Sequence, residues 1–489
     1  MSTADFLIEG KNFVAGQWVA GTAKTAPIIS PWTGEKIGLL HHSQSTDVDL
    51  AVAGAKKGFQ AWSRFSIKER CAVLFRFREI LLRDAESIAA QASAECGKTV
   101  AEAKSGLMKG VEVLEYALSL QNLDSGGKME VSRGVWCEYR REPLGIVAGI
   151  TPFNFPAMVP LWMIPIALAT GNAFVWKPSD KTPLTSLWIA RAAQEAGLPD
   201  GALTIVQGAK ECVDALIDHP DVAAIGFVGS SLVAKAVYQR ASSHGKRALA
   251  LGGAKNHIIL MPDAEIEMAA RGITDSFTGC AGQRCMAASV LIAVGDCQRL
   301  VDAIVEKSSA LQLGKDMGAI ISSESLQRLK TAITAAEKSG AKILLDGRTI
   351  AAPEGKVGGN WLAPTILDQV VPGTPAACDE LFGPVLSIIR VKTLSEAIAI
   401  ENANPYGNAA SVFTTTGAVA ERVSQEARAG MIGINVGLPV PREPFSFGGI
   451  QDSRFGHGDI TGSSGVEFWS QRKKITTKWV SPTDKNWMN

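Results

Sequence analysis

At 489 residues the chain is too long for one ordinary core and should divide into about two or three domains. Apolar residues make up 46% and charged residues 20%, so a large packed interior is easily supplied. The formal charge is +1 with no Lys/Arg-rich block, which argues against a nucleic acid or an anionic membrane as the main partner.

In chain order, Met1-Ser2-Thr3-Ala4-Asp5-Phe6 lacks the cationic and apolar regions of a signal peptide and is unlike an Arg-rich transit peptide. Residues 12–40 carry short apolar runs punctuated by Gly16, Gly21, Pro27, Pro31 and Gly34, as hairpins do. Ser45-Thr46-Asp47 offers an N-cap before Val48, Leu50, Ala51 and Ala55. A second helix is predicted over 67–94, with Val73, Leu74, Phe77, Ile80 and Leu81 on one face and Gly97 placed to stop it. A third covers 100–118.

From Gly145 the rhythm changes. Apolar runs at 146–150, 173–176, 203–206 and 224–227 alternate with helical patterns, the signature of βαβ units on a parallel sheet. Pro160, Pro165, Gly171 and Asn172 interrupt the most apolar stretch, 156–175, so no membrane span is read there. A strand over 248–251 ends in Gly252-Gly253, and another apolar run comes at 258–261. A second alternating block has helices over 265–277, 298–311 and 325–340, with strands over 342–345, 384–390 and 410–414. The β-rich tail from Phe468 to Val480 fits an extended arm at a subunit interface or a plain edge strand. Its basic run, Arg472-Lys473-Lys474, reads as a solvated face.

The eight cysteines form no CxxC pair and no Cys/His ligand spacing. That is the pattern of reduced cytoplasmic thiols, one of them reactive, with no metal site. In Gly282-Gln283-Arg284-Cys285-Met286-Ala287, Cys285 comes after a Gly turn, has Arg284 beside it and could start a helix. Such surroundings lower a thiol pKa, although most isolated cysteines, such as Cys280, simply pack in the core. In Gly149-Ile150-Thr151-Pro152-Phe153-Asn154-Phe155-Pro156 two prolines stiffen the loop around Asn154. This side chain is either a pre-positioned oxyanion donor or the cap of the next helix. Lys177 and Asp180, in Val175-Trp176-Lys177-Pro178-Ser179-Asp180, stand at the end of a parallel strand, where such groups can bind ribose hydroxyls. Gly229-Ser230-Ser231 is a strand-to-helix turn of the kind that receives a pyrophosphate, a weak signal alone.

Together these segments resemble the aldehyde dehydrogenase superfamily over nearly the whole chain, from about Asn12 to Trp479. Within it the chain is most similar to the CoA-acylating methylmalonate-semialdehyde (malonate-semialdehyde) dehydrogenases. The similarity is carried by Arg141-Glu142-Pro143-Leu144-Gly145, by 149–165 (GITPFNFPAMVPLWMIP), by Gly253-Ala254-Lys255-Asn256-His257 and by GQRCMA. The resemblance implies an α/β fold with three parts. These are a Rossmann-like NAD-binding domain (1–123 and 144–252), an α/β catalytic domain (253–465), and a small β oligomerisation element (124–143 and 466–489) that assembles a homodimer or homotetramer.

Residue by residue, the resemblance makes Cys285 the nucleophile and Asn154 the oxyanion amide. NAD would be held by Phe153, Lys177, Asp180, Gly229, Ser230, Glu380 and Phe382, with Asp180 where many members have Glu and Ala234 where a later Gly is usual. The distal carboxylate of a semialdehyde would be gripped by Arg284 and by Lys109, which replaces an arginine; Arg442 is a further candidate. Hydrolytic members carry a Glu in a LELGG-like strand, where it activates water. Here the strand reads Leu249-Ala250-Leu251-Gly252-Gly253, which sets Ala250 at the place of the base. The implied reaction is NAD-dependent oxidation of a small carboxylated semialdehyde through a Cys285 thioester, with CoA as acyl acceptor. The alternative is a hydrolytic enzyme giving the free acid, with Asp459 as a stand-in base.

Overall fold

The structure is a computed structural model and describes residues 8–123 and 126–479. The N-terminal segment 1–6, residues 124–125 of the expected oligomerisation element and its end beyond Trp479 lie outside the described residues.

An eight-stranded sheet runs in the order Arg454–Gly456, Arg247–Leu251, Val222–Val228, Ile146–Ile150, Ala173–Lys177, Leu203–Ile205, Asn12–Val14, Gln17–Val19. The five central strands are parallel. Ile146–Ile150 and Ala173–Lys177 are buried at every residue, as a sheet covered on both faces demands. Alternate side chains divide between two apolar layers. Ile146, Ala148 and Ile150 pack with Val48, Leu216 and Val237, while Val147 packs with Leu107, Leu161 and Ile164. The apolar stretch after Asn154 becomes the helix Met158–Ala169, buried nearly all round, which makes it core. Among the described residues no helix is long and apolar enough to cross a membrane.

A seven-stranded sheet comes next, in the order Lys342–Leu345, Thr365–Asp368, Val385–Val391, Ala288–Val294, Asn256–Leu260, Ala409–Phe413, Met431–Ile434. A third sheet pairs Ser470–Lys478 with Val135–Pro143 and then Gly127–Ser132, so the tail's partner is a hairpin more than three hundred residues earlier (Ser470 faces Pro143). One strand crosses the partition expected from sequence. Arg454–Gly456, from the 253–465 segment, closes the edge of the first sheet on Arg247–Leu251.

The helix predicted over 67–94 is two helices, Ile67–Arg83 and Ala85–Cys96, separated at Asp84 (φ −96°, ψ 11°). Both halves keep the same apolar face, so the periodicity does not report a one-residue break. The first long helix starts earlier than its serine suggests. Gln44 is the N-cap, and Asp47 accepts the Gln44 N–H at 2.9 Å as the reciprocal half of a capping box. The strands Ala288–Val294, Thr365–Asp368 and Met431–Ile434 carry no marker that separates a short buried strand from a buried helix segment.

Candidate active site

In the first sheet the chain order reverses at Ile146–Ile150, and open parallel sheets bind ligands beyond the carboxyl ends of the strands at such a point. The loop with Asn154, residue Lys177, the Gly229 turn and Gly252-Gly253 all leave from those ends. The second sheet meets them with its amino ends: Cys285 precedes Ala288–Val294, Asn256 opens its strand and Phe382 precedes Val385–Val391.

Cys285 lies at the exit of a 3-10 turn, Gly279–Gly282, and leads into a strand. The expected helix start is absent from this position. The turn is strained: Cys280 (φ 51°) and Ala281 (φ 53°) are left-handed without being glycine, at about 1–2 kcal/mol each. Glu102 holds it by accepting the Cys280 N–H. Gly282 (φ +68°) must be glycine, because a Cβ there would stand 2.2 Å from the Gly383 carbonyl group. Amide side chains fix the peptide from Gln283 onward. Asn154 Nδ2 donates to the Gln283 carbonyl (2.9 Å), and the Gln283 side chain bridges the Ala319 carbonyl (3.1 Å) and the Ile321 N–H (3.0 Å). The Cys285 carbonyl accepts from Asn256 (2.7 Å) and from Asn408 (2.9 Å). Asn154 is not a helix cap, since Ala157 occupies that position. Its second N–H remains for a ligand.

The thiol itself departs from expectation. Desolvation, reinforced by the Glu380 carboxylate, pushes the Cys285 pKa up to about 12; backbone N–H groups and Arg284 oppose this without reversing it. The neighbouring cation alone predicts a lowered pKa, but burial outweighs it.

On the side facing the first sheet, Lys177 is buried with its ammonium on the Gly208 carbonyl (3.0 Å). Burial lowers its pKa, and the Asp180 carboxylate works against that shift. Asp180 is exposed at the groove edge. Ser230 caps the helix Ser231–Ser243 by position but makes no side-chain cap bond, and Ala234 points into the core beneath it. Beside this turn Leu232 is 83% and Val233 44% exposed, an apolar shelf that no sequence pattern marks. Phe153 and Phe382 meet edge to face, with ring centroids 5.8 Å apart; Phe382 is held at φ 56°. Glu380 accepts the Ala254 N–H (3.0 Å) and is pushed up to about 6 by burial, against Ala254, Lys255 and Arg328. Gly253 makes room for it, because a Cβ there would lie 2.3 Å from Glu380 Oε2.

The expected substrate cations differ from each other. Arg284 turns back on the preceding helix and donates to the carbonyls of Gly279 (2.8 Å) and Asp275 (3.3 Å). Two of its five N–H groups are thereby engaged and three remain. The Lys109 ammonium contacts Glu112 (2.9 Å) and Glu443 (3.3 Å). Arg442 is exposed at the surface.

The strand with Ala250 at the place of the base divides its side chains between two layers. Leu249 and Leu251 pack in the layer of Met286 and Cys285, whereas Ala250 packs with Ile150, Ile225 and Phe227 on the opposite face, as strand alternation requires. Leu249, Ala250 and Leu251 are all aliphatic and buried. Asp459, the expected stand-in, is paired with Arg454 at 2.7 Å.

Known proteins resemble this chain over nearly its whole length. Residues 18–475 match the aldehyde dehydrogenase family. The chain is 42% identical to malonate-semialdehyde dehydrogenase 1 of Geobacillus thermodenitrificans, over 96% of this chain and 98% of that one. It is 39% identical to the human mitochondrial methylmalonate-semialdehyde/malonate-semialdehyde dehydrogenase [acylating], over 96% of this chain and 89% of that one. A crystal structure from Sinorhizobium meliloti, of a protein assigned as a methylmalonate-semialdehyde dehydrogenase and complexed with NAD, superposes with a TM-score of 0.96 at 37% identity, covering 98% of this chain and 100% of that one. The chain belongs to the aldehyde dehydrogenase family.

Proposed function

We propose that this enzyme oxidises a small carboxylated semialdehyde, of the malonate or methylmalonate semialdehyde type, with NAD, and passes the acyl group from Cys285 to CoA. The observation that carries the acylating reading is the aliphatic end of the Arg247–Leu251 strand, with Asp459 committed to Arg454. Without a positioned base, attack of water on the thioester is slower by about 10²–10⁴. A thiol needs no such help near neutral pH. The relative named as acylating, 39% identical, supports the same direction.

The residues suit NAD. Buried Lys177 and exposed Asp180 offer a donor and an acceptor for ribose, Leu232 and Val233 an apolar shelf, and Glu380 an acceptor beside the Phe153–Phe382 edge. The Asp180 carboxylate disfavours a 2′-phosphate and hence NADP. Bound NAD supplies the hydride acceptor and a positive ring charge that eases ionisation of a thiol.

With its proton released to solvent, Cys285 Sγ attacks the aldehyde carbon, the C=O π pair moves onto oxygen, and the oxyanion is received by the second Asn154 N–H and the Cys285 N–H. Loss of hydride leaves a thioester on Sγ. The free N–H groups of Arg284 are the candidate holders of the substrate carboxylate. We assign cofactor binding to 1–123 with 144–252, catalysis to 253–465 and assembly to 124–143 with 466–489. The assembly assignment draws support from the exposed Met129, Val131, Trp136 and Tyr139 on the third sheet.

Stopped-flow NADH formation from malonate semialdehyde tests the reading. We expect a burst near one NADH per active site that continues into turnover only with CoA. Rapid steady turnover without CoA would overturn the acylating reading in favour of hydrolysis.

A further inference from the structure

The segment Gly253–Asn256 touches both halves of the site. The Ala254 N–H binds Glu380 Oε1 at 3.0 Å. Lys255, 2% exposed, extends its ammonium to the Asp379 carbonyl at 2.7 Å and makes no ion pair among the described residues. Asn256, the next residue, donates to the carbonyls of Cys285 (2.7 Å) and Ala287 (3.0 Å) and accepts the Ala409 N–H (3.1 Å). A buried ammonium without a carboxylate in contact is costly, so it calls for a compensating role.

We propose that Lys255 is a positioning residue: its charge keeps Glu380 ionised and its bond to Asp379 keeps that carboxylate in place beside the Cys285 peptide. The proposal rests on the reading of Glu380 as a cofactor contact. A carboxylate accepts two ribose hydroxyl bonds, whereas its protonated form offers fewer acceptor sites.

The electrostatics run both ways. Burial lowers Lys255 to about 8, and the charges of Asp379, Glu380 and Cys378 resist that shift. Burial raises Glu380 to about 6, and the Ala254 N–H, Lys255 and Arg328 resist. The other titratable groups coupled to this pair are Cys285, Tyr406 and His257. Burial keeps the first two protonated and His257 neutral, with His257 lowered to about 3. Lys255 and Arg328 are therefore the cations acting on Glu380, and only Lys255 is buried with it.

Glu380 is ionised above about 6, so NADH affinity should fall as pH drops through that value. The measurement is NADH binding by calorimetry from pH 5 to 8 on the wild-type enzyme and on Lys255→Met, Lys255→Arg and Glu380→Gln. Wild type should show the acid limb near 6 and Glu380→Gln should lack it. In Lys255→Met the limb should move up by about one unit. In Lys255→Arg it should stay, with affinity several-fold weaker because the larger group displaces the Asp379 carbonyl.

An unmoved limb in Lys255→Met overturns the proposal, leaving the cofactor reading intact. Should that variant fail to fold, wild-type affinity in Lys255→Arg overturns it instead. No NADH binding by the wild type would bring down the cofactor reading and the proposal together.

Discussion

The peptide that carries Cys285 and the cations around it are held in opposite ways. The peptide is fixed by neutral amides: Asn154, Gln283, Asn256 and Asn408 are all buried, and each donates to a backbone carbonyl. The cations near the substrate side lean on whatever lies beside them, Arg284 on two helix carbonyls and Lys109 on two carboxylates. Amide bonds to backbone keep their geometry across pH and salt. A cation's availability depends on every acid within reach. The frame around Cys285 is therefore a fixed feature of this sequence, while the charges around it can be retuned by one neighbour.

The largest effect should come from the centre of the fixed frame. Cys285→Ala should lower NADH formation about 10⁴-fold or more, since a missing nucleophile removes the covalent route altogether. Cys280→Ala, in the same turn but packed in the core, should keep most of the activity. Comparable losses in both would mean that the turn's conformation, and not the Cys285 thiol, is what the reaction needs.

That frame is only partly legible in the sequence. The strands at 146–150 and 342–345 can be read to the residue because apolar runs end there against glycine or aspartate. Cys285 and Asn154 stand out by local chemistry, but what joins them does not. Asn256 reaches Cys285 across 29 positions, Asn408 across 123, and Asn154 reaches Gln283 across 129, and no local pattern marks an asparagine for such a task. Lys255 is visible only as a letter in a shared motif. Lys109 shows the reverse: resemblance gives the position, but no local pattern reveals that Glu443, 334 positions away, lies against its ammonium. The thiol's pKa escapes for the same reason, because burial is a property of the fold and Arg284 is a property of the sequence.

A smaller effect separates two members of the frame. Asn256→Ala leaves the Ala287 carbonyl and the Ala409 N–H without their partner, and buried orphaned groups cost about 1–3 kcal/mol each. A loss of about 2–6 kcal/mol in unfolding free energy is expected from urea titration. Asn408→Ala should cost about 1 kcal/mol, because the Cys285 carbonyl keeps its bond from Asn256. Equal losses would show that the two asparagines do not share the load as their bonds suggest.

The smallest effect tests the charged half of the contrast. If Glu112 and Glu443 already satisfy Lys109, removing the ammonium changes little for the substrate. Lys109→Met should then alter KM for malonate semialdehyde by less than about threefold, under 1 kcal/mol. Glu443→Gln removes the more buried of the two carboxylates, with 9% of its side chain exposed against 39% for Glu112. It should return part of the cation to the site and lower KM for the charged aldehyde while leaving propanal unaffected. A tenfold rise in KM for Lys109→Met, confined to the carboxylated aldehyde, would restore Lys109 as a substrate contact. It would also mean that Glu443 moves aside when the substrate arrives, and the charged half of the site would then be as organised as the neutral one.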